Sequence, residues 1–176
     1  MWAWSQTTIW SDNDFASGTG TASNLNLSSG IYSTPQSNND VSASWTSVSI
    51  DIEDYTDVSI SFNYNANVHN NDYVEFSYTI DNSTTSTQTK GDQSNTTISA
   101  SGLSGSSLTV SLSFSNSGKQ GNTNLSQSFE DVIVTGTLCG GTGNPSVSSI
   151  GFSTARFSAY YCLNGTTDKG FVDSSS

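Results

Sequence analysis

Positive charge is almost missing from this chain. Of its 176 residues only Lys90, Lys119, Arg156 and Lys169 are basic, against 15 Asp and Glu, a formal net charge of −11. Phosphate backbones repel such a surface, so no nucleic-acid partner is expected, and anionic membrane surfaces are disfavoured for the same reason. Long apolar runs are missing too, so no membrane insertion is expected. The opening Met1-Trp2-Ala3-Trp4-Ser5-Gln6 lacks the basic and apolar regions of an export signal. Two origins fit that reading: a virion protein released by lysis, or a piece of a larger secreted protein.

Reactive side chains are equally sparse. The two cysteines, Cys139 and Cys162, have no histidine near them in sequence, which argues against a zinc site. Their spacing is compatible both with one disulfide closing the C-terminal segment and with two buried thiols. The single histidine, His69, sits in a polar loop and reads as a loop residue. Gly102-Leu103-Ser104-Gly105 lacks the Gly-x-Ser-x-Gly elbow of a serine hydrolase. Only three Glu occur, none in an apolar run that would raise its pKa as a general acid requires. No enzymatic activity is expected.

What the chain has in quantity is Ser, Thr and Asn: 37, 22 and 17 residues. Hydrophobic residues make up 32%, but they include four Trp, seven Tyr and eight Phe in alternating runs, which a disordered chain would not carry. The length suits one domain plus a small appendage.

The alternation has a period of two. Val48, Ile50 and Ile52 alternate with Ser47, Ser49 and Asp51. After an acidic turn (Asp51, Glu53, Asp54 and Asp57, read as solvated), Val58, Ile60, Phe62 and Tyr64 alternate with Ser59, Ser61 and Asn63. Beyond a polar loop from Asn65 to Asn71, Val74, Phe76, Tyr78 and Ile80 face one way. Asp81-Asn82-Ser83 signals a turn. Weaker strands are predicted around 86–90 and 96–100, then Leu108, Val110, Leu112 and Phe114 alternate with hydroxyl residues. The last strong strand is Phe129 to Gly136. One apolar and one polar face per strand marks half-buried antiparallel sheets, and no segment shows helical periodicity. Trp4, Ile9, Trp10, Phe15, Leu25, Leu27, Ile31 and Tyr32 suggest further short strands of the same sandwich.

The fold class expected is therefore all-β, an antiparallel jelly-roll β-sandwich with a small C-terminal β-rich extension. The expected division is a sandwich over 1–137, a Gly-rich linker over 138–145 and a docking or oligomerisation segment over 146–176, too short to form a core alone.

Four phrases carry a family resemblance: Ser49 to Phe62, Asn71 to Asp81, Ser101 to Leu108, and Phe129-Glu130-Asp131-Val132-Ile133-Val134-Thr135-Gly136. Over about 45–137 the chain resembles jelly-roll surface modules, related in architecture to carbohydrate-binding and MAM adhesion domains, of secreted Bacteroidota proteins and their phages. The tail from Ala159 to Ser174 is similar to short modules of phage fibre and tail proteins. The resemblance implies a structural Ca²⁺ held by Glu130 and Asp131 with Asp12, Asp14 and Asp40, an ion that takes six to eight oxygen ligands.

Residue placement suggests a sugar site. Tyr73 is out of phase with the apolar face of its strand, Tyr55 sits in a turn, Trp45 precedes a strand, and Asn67, Asn70, Asn71 and Asp72 offer polar partners. The leading expectation is a non-enzymatic phage virion surface protein (capsid decoration, fibre or tail component). It would serve display, host-surface or glycan attachment, with other virion or surface proteins, surface glycans and its own copies as partners. The alternative is a carbohydrate-binding or adhesion module of a secreted or cell-surface bacterial protein.

Overall fold

The computed structural model describes residues 6–13, 15, 18–35, 41–116 and 125–138, and the backbone of two further strands in 158–171. Twelve strands form two antiparallel six-stranded sheets. The first contains β1 (Gln6–Asp12), β3 (Asn26–Ser28), β4 (Ile31–Ser33), β7 (Tyr55–Asn67), β10 (Gln93–Leu103) and β12 (Ser126–Leu138). Its order is β10-β7-β12-β4-β3, with β1 lying along the later part of β12. The second contains β2 (Gly20–Ser23), β5 (Val41–Ser47), β6 (Ile50–Asp51), β8 (Tyr73–Ile80), β9 (Ser83–Lys90) and β11 (Ser107–Asn116), in the order β2-β5-β11-β8-β9, with β6 also on β11. A separate hairpin, β13 (Ser158–Leu163) and β14 (Thr166–Phe171), pairs with itself. No helix occurs among the described residues. This is the expected all-β sandwich, and its sheet order is consistent with a jelly roll.

The predicted alternation sets the layers. Val58, Ile60, Phe62 and Tyr64 of β7, Leu108, Val110, Leu112 and Phe114 of β11, and Phe129, Val132 and Val134 of β12 are all buried between the sheets. Their neighbours Ser59, Ser61, Thr109, Ser111 and Thr135 stand on the outer faces, half-exposed. Phe129 is the centre of the aromatic packing. Its ring lies 5.3 Å from Phe15, 5.4 Å from Phe114, 5.5 Å from Tyr32 and 5.6 Å from Trp45. Phe114 and Trp45 belong to the second sheet, so these contacts span the sandwich. Phe62 and Phe76, at 5.3 Å, make a second bridge. Such pairs contribute about 0.5–1.5 kcal/mol each beyond their buried area. Gly20 admits the Trp45 indole: a Cβ there would stand 2.7 Å from its Nε1.

Two departures from simple alternation have local causes. Val48, expected inside with Ile50 and Ile52, is 41% exposed. β5 ends at Ser47, which is buried, and the chain steps out of register before β6. The Ser47 hydroxyl takes the place of a ladder partner, accepting from the Val110 N–H at 3.0 Å and donating to the Val48 carbonyl at 2.7 Å. In β12 the pairing with β7 shifts between Glu130 and Ile133, a bulge at which Asp131 adopts φ 54°. Asp and Asn tolerate that conformation better than other non-glycine residues. The predicted turn at Asp81-Asn82 is a two-residue hairpin turn with both residues left-handed (φ 46° and 72°).

Because Phe129 touches both layers, Phe129→Ala is expected to cost about 3–5 kcal/mol of unfolding free energy. Leu27→Ala, at a position 45% exposed on the short β3, is expected to change stability little. Urea denaturation of the two variants checks the contrast.

Candidate functional site

The outer face of the second sheet is a lattice of hydroxyl groups. Register aligns Thr46, Ser111, Ser77 and Ser86 in one row across β5, β11, β8 and β9. The next row is Ser44, Ser113, Glu75 and Gln88, and a third runs Ser42, Ser115, Tyr73 and Lys90. Several of these side chains are tied to one another. Thr46 and Ser111 hydroxyls lie 3.1 Å apart, Thr79 and Thr84 2.8 Å apart, and Gln88 Nε2 donates to Glu75 Oε2 at 3.0 Å. Among the described residues of these strands only Glu75 and Lys90 are charged.

At one end of this face stands Tyr73, half-exposed between Ser115 and Lys90, out of phase with the buried Val74 and Phe76. The loop before it carries the exposed Asn70 and Asn71, and Asn67 is exposed at the end of β7. That loop is braced from beneath. Asp72 is 1% exposed, and its Oδ2 accepts the His69 N–H at 3.0 Å. The Asp72 N–H donates to the His69 carbonyl at 2.9 Å, and Gly91 N–H donates to the Asp72 carbonyl at 3.0 Å. Asp92 Oδ1 accepts the Val68 N–H at 2.7 Å. A polar surface with one aromatic ring, held on a braced loop beside a rigid sheet, is thus assembled from Tyr73, Asn70, Asn71, Glu75 and Gln88.

Below the same end, inside the sandwich, lies a fully buried polar group. Gln127 donates to Asn116 Oδ1 and, at 3.1 Å, to the Ser115 carbonyl, while Tyr64 OH donates to Gln127 Oε1. Thr34 Oγ1 accepts from Gln127 N–H at 3.0 Å and from Asn116 Nδ2 at 3.4 Å. Burial, and secondarily the charge of Asp72, push the Tyr64 phenol well above its ordinary pKa, so it stays a donor. The cluster ties β7 and β12 of one sheet to β11 of the other.

The expected sugar-site residues do not all meet. Trp45 is corrected to a core residue: at 1% exposure it cannot offer a ring to a ligand, because β5 starts at Val41 and its alternation turns Trp45 inward. Asp72 is corrected to a buried brace for the loop. Tyr55 opens β7, packed against the core beside Gly136, and is twelve positions from Asn67 along the same strand. At about 3.3 Å per residue that is roughly 40 Å, the opposite end of the molecule. Asn70 lies beside Gly91, next to the Lys90 that faces Tyr73, and Asn71 precedes Tyr73 by two, whereas Asn67 is in phase with the outward residues of β7 and so belongs to the outer face of the first sheet. Glu75 and Gln88 were not anticipated. Glu75 follows Tyr73 by two, and that phase was the available signal.

The calcium expectation is divided by the first sheet. Asp12, 1% exposed, lies opposite the inward Val132 and so faces inside, whereas Asp131 accepts from the outer-face Asn63 Nδ2 at 3.3 Å. Glu130, half-exposed, is opposite Asn63 in register. Asp14 and Asp40 lie outside the described residues, as does Cys139; of Cys162 only the backbone, in β13, is described. Among the described residues no three His, Cys, Asp or Glu side chains gather to hold a metal. The acidic turn is solvent-exposed, with Asp51 Oδ1 accepting the Glu53 N–H at 3.1 Å.

Removing the Asp72 carboxylate leaves the buried end of the loop without an acceptor. Asp72→Ala is expected to lower stability by about 1–3 kcal/mol. Hydrogen exchange at the His69 amide is expected to accelerate more than at Val110, and equal effects at the two amides would contradict the bracing role.

No protein-family model matches the chain, and no curated protein matches it. Among solved structures it is similar to the carbohydrate-binding module TmCBM61 in complex with β-1,4-galactotriose. The identity is 5%, over 68% of this chain and 83% of that one, with a TM-score of 0.45. It is also similar to a family two carbohydrate esterase from Cellvibrio japonicus (12% identity, 76% of this chain, 34% of that one, TM-score 0.44). A third is a CBM4 structure (14% identity, 70% of this chain, 82% of that one, TM-score 0.38).

Proposed function

We propose that this chain is a non-catalytic glycan-binding β-sandwich module of a secreted or cell-surface protein, with its site on the Tyr73 end of the second sheet's outer face. The observation that carries the reading is the pairing of one half-exposed ring with a charge-poor field of hydroxyl and amide groups. Sugars present the same two surfaces: a patch of C–H groups that packs on an aromatic face, and hydroxyls that both donate and accept. Tyr73 supplies the ring, the bonded Glu75–Gln88 pair and Ser113 supply oriented hydrogen-bonding groups, and Asn70 and Asn71 close the site from the loop. Virion display, the leading expectation from the sequence, makes no particular demand on this face, and the module reading accounts for it better.

The test is a screen of neutral oligosaccharides against the whole chain, followed by titration calorimetry of the best ligand. Tyr73→Ala is expected to weaken binding by about 1–2 kcal/mol, roughly five- to thirtyfold, with the melting temperature unchanged. A chain that binds no neutral glycan, or a Tyr73→Ala variant that binds as well as the original, contradicts the proposal.

Calcium is proposed at Asp12, a buried carboxylate at the end of β1, the kind of oxygen ligand that this ion takes. The melting temperature is expected to be several degrees higher in millimolar calcium than in EDTA, because a ligand held only by the folded state stabilises it. Asp12→Asn is expected to remove the difference, and equal melting of the original chain in both conditions contradicts resident calcium.

A further inference from the structure

The sheet edges differ in how they are closed. At the edges of the first sheet, β10 carries register shifts at both ends of its pairing with β7 and a left-handed Asn95 (φ 47°). β1 is shifted between Thr8 and Trp10, and β3 is three residues long. In the second sheet β2 has four residues and β6 two. Shortness and bulges of this kind keep an edge from templating another strand. β9 has neither. Its eight residues pair with β8 without a shift, from Ser83 opposite Ile80 to Lys90 opposite Tyr73. It contains no proline, and its one charge is its last residue.

The hairpin turn dictates which groups the edge offers. In a two-residue turn the flanking pair, Ile80 and Ser83, is hydrogen-bonded, and bonded pairs then alternate along the ladder. Ser83, Thr85, Thr87 and Thr89 therefore direct their backbone groups to β8. Thr84, Ser86, Gln88 and Lys90 direct N–H and C=O away from the sheet.

We propose that β9 pairs antiparallel with β9 of a second copy about a two-fold axis at Ser86, joining the two second sheets into one continuous sheet. In this register Thr84 lies opposite the partner's Gln88, and Ser86 lies opposite the partner's Ser86. All of these are residues with outward backbone groups, so donors meet acceptors throughout. The strand is self-complementary in charge as well. Its centre is neutral, and Lys90 at its end falls opposite the partner's Asn82, beside the partner's Asp81. The Asp81 carboxylate is fixed in place by N–H groups of Ser106 (3.0 and 3.1 Å) and Ser107 (3.0 Å), which also hold its pKa below the ordinary value and keep it charged. Each copy carries net negative charge, but the remaining acids are distributed over a surface where salt screens them within about 8 Å. One strand pair is a small interface, so the association is weak and concentration-dependent.

Sedimentation velocity of the whole chain, from micromolar to near-millimolar, is expected to show a rise towards the mass of a dimer. Ser86→Pro removes an outward N–H without touching the β8 ladder, which an edge strand tolerates, and is expected to weaken association at least about tenfold. Cysteine variants give an independent readout. A hydrogen-bonded antiparallel pair sets Cα atoms about 5.5 Å apart, within disulfide reach. Ser86→Cys on the axis is therefore expected to cross-link to its own copy under mild oxidation well above the level of the original chain. Thr84→Cys, which faces Gln88, is not expected to. A chain monomeric at every concentration, association undiminished in Ser86→Pro, or equal cross-linking of the two cysteine variants would overturn the proposal.

Discussion

Phe129 stands where the two layers meet, and the rings packed on it decide how the layers can lie. Phe114 and Trp45 reach it from the second sheet, Tyr32 from its own sheet, and Phe15 fits between them. With only 32% hydrophobic residues, the chain has few side chains to place inside, and among the described residues most of the large ones gather in this single layer. The alternation of β7, β11 and β12 delivers them there. It also sends the Ser, Thr and Asn between them outward, so the hydroxyl-covered surfaces follow from the same rhythm that builds the core.

The buried polar cluster around Gln127 complements the aromatic one. Tyr64, Asn116, Thr34 and the Ser115 carbonyl each hold a partner in it, so the desolvation of these groups is offset by hydrogen bonds inside the sandwich. It lies just beneath the strand ends that carry Tyr73 and the Asn70–Asn71 loop. Rigidity at the base of that loop, from Asp72 and Asp92, means that a ligand meets a surface already ordered, which lowers the entropic cost of binding.

Strands whose apolar residues alternate could be read directly: β7, β8, β11 and β12 all follow from period two. β9 was only partly legible, because Ser83 to Gln88 contains no apolar residue. What makes it a strand is the left-handed pair at Asp81-Asn82, which folds it back on β8. Trp45 misled for the opposite reason. A strand taken to begin at Trp45 leaves the ring at the surface, whereas one beginning at Val41 alternates it inward beneath Gly20. At the site, Tyr73 and the asparagines were readable from phase and loop composition. The role of Asp72 was not, since a carboxylate that accepts the backbone N–H of its own loop looks in sequence like one that faces a ligand.

The fold and its surfaces depend on two sheets closing over one aromatic layer. Native-state hydrogen exchange of the whole chain, resolved by residue, addresses that directly. The account expects amides of β7, β11 and β12 beside Phe62, Leu112 and Phe129 to exchange only through global unfolding, with β3 and β4 opening far more readily. Fast and uniform exchange across β7, β11 and β12 would contradict it.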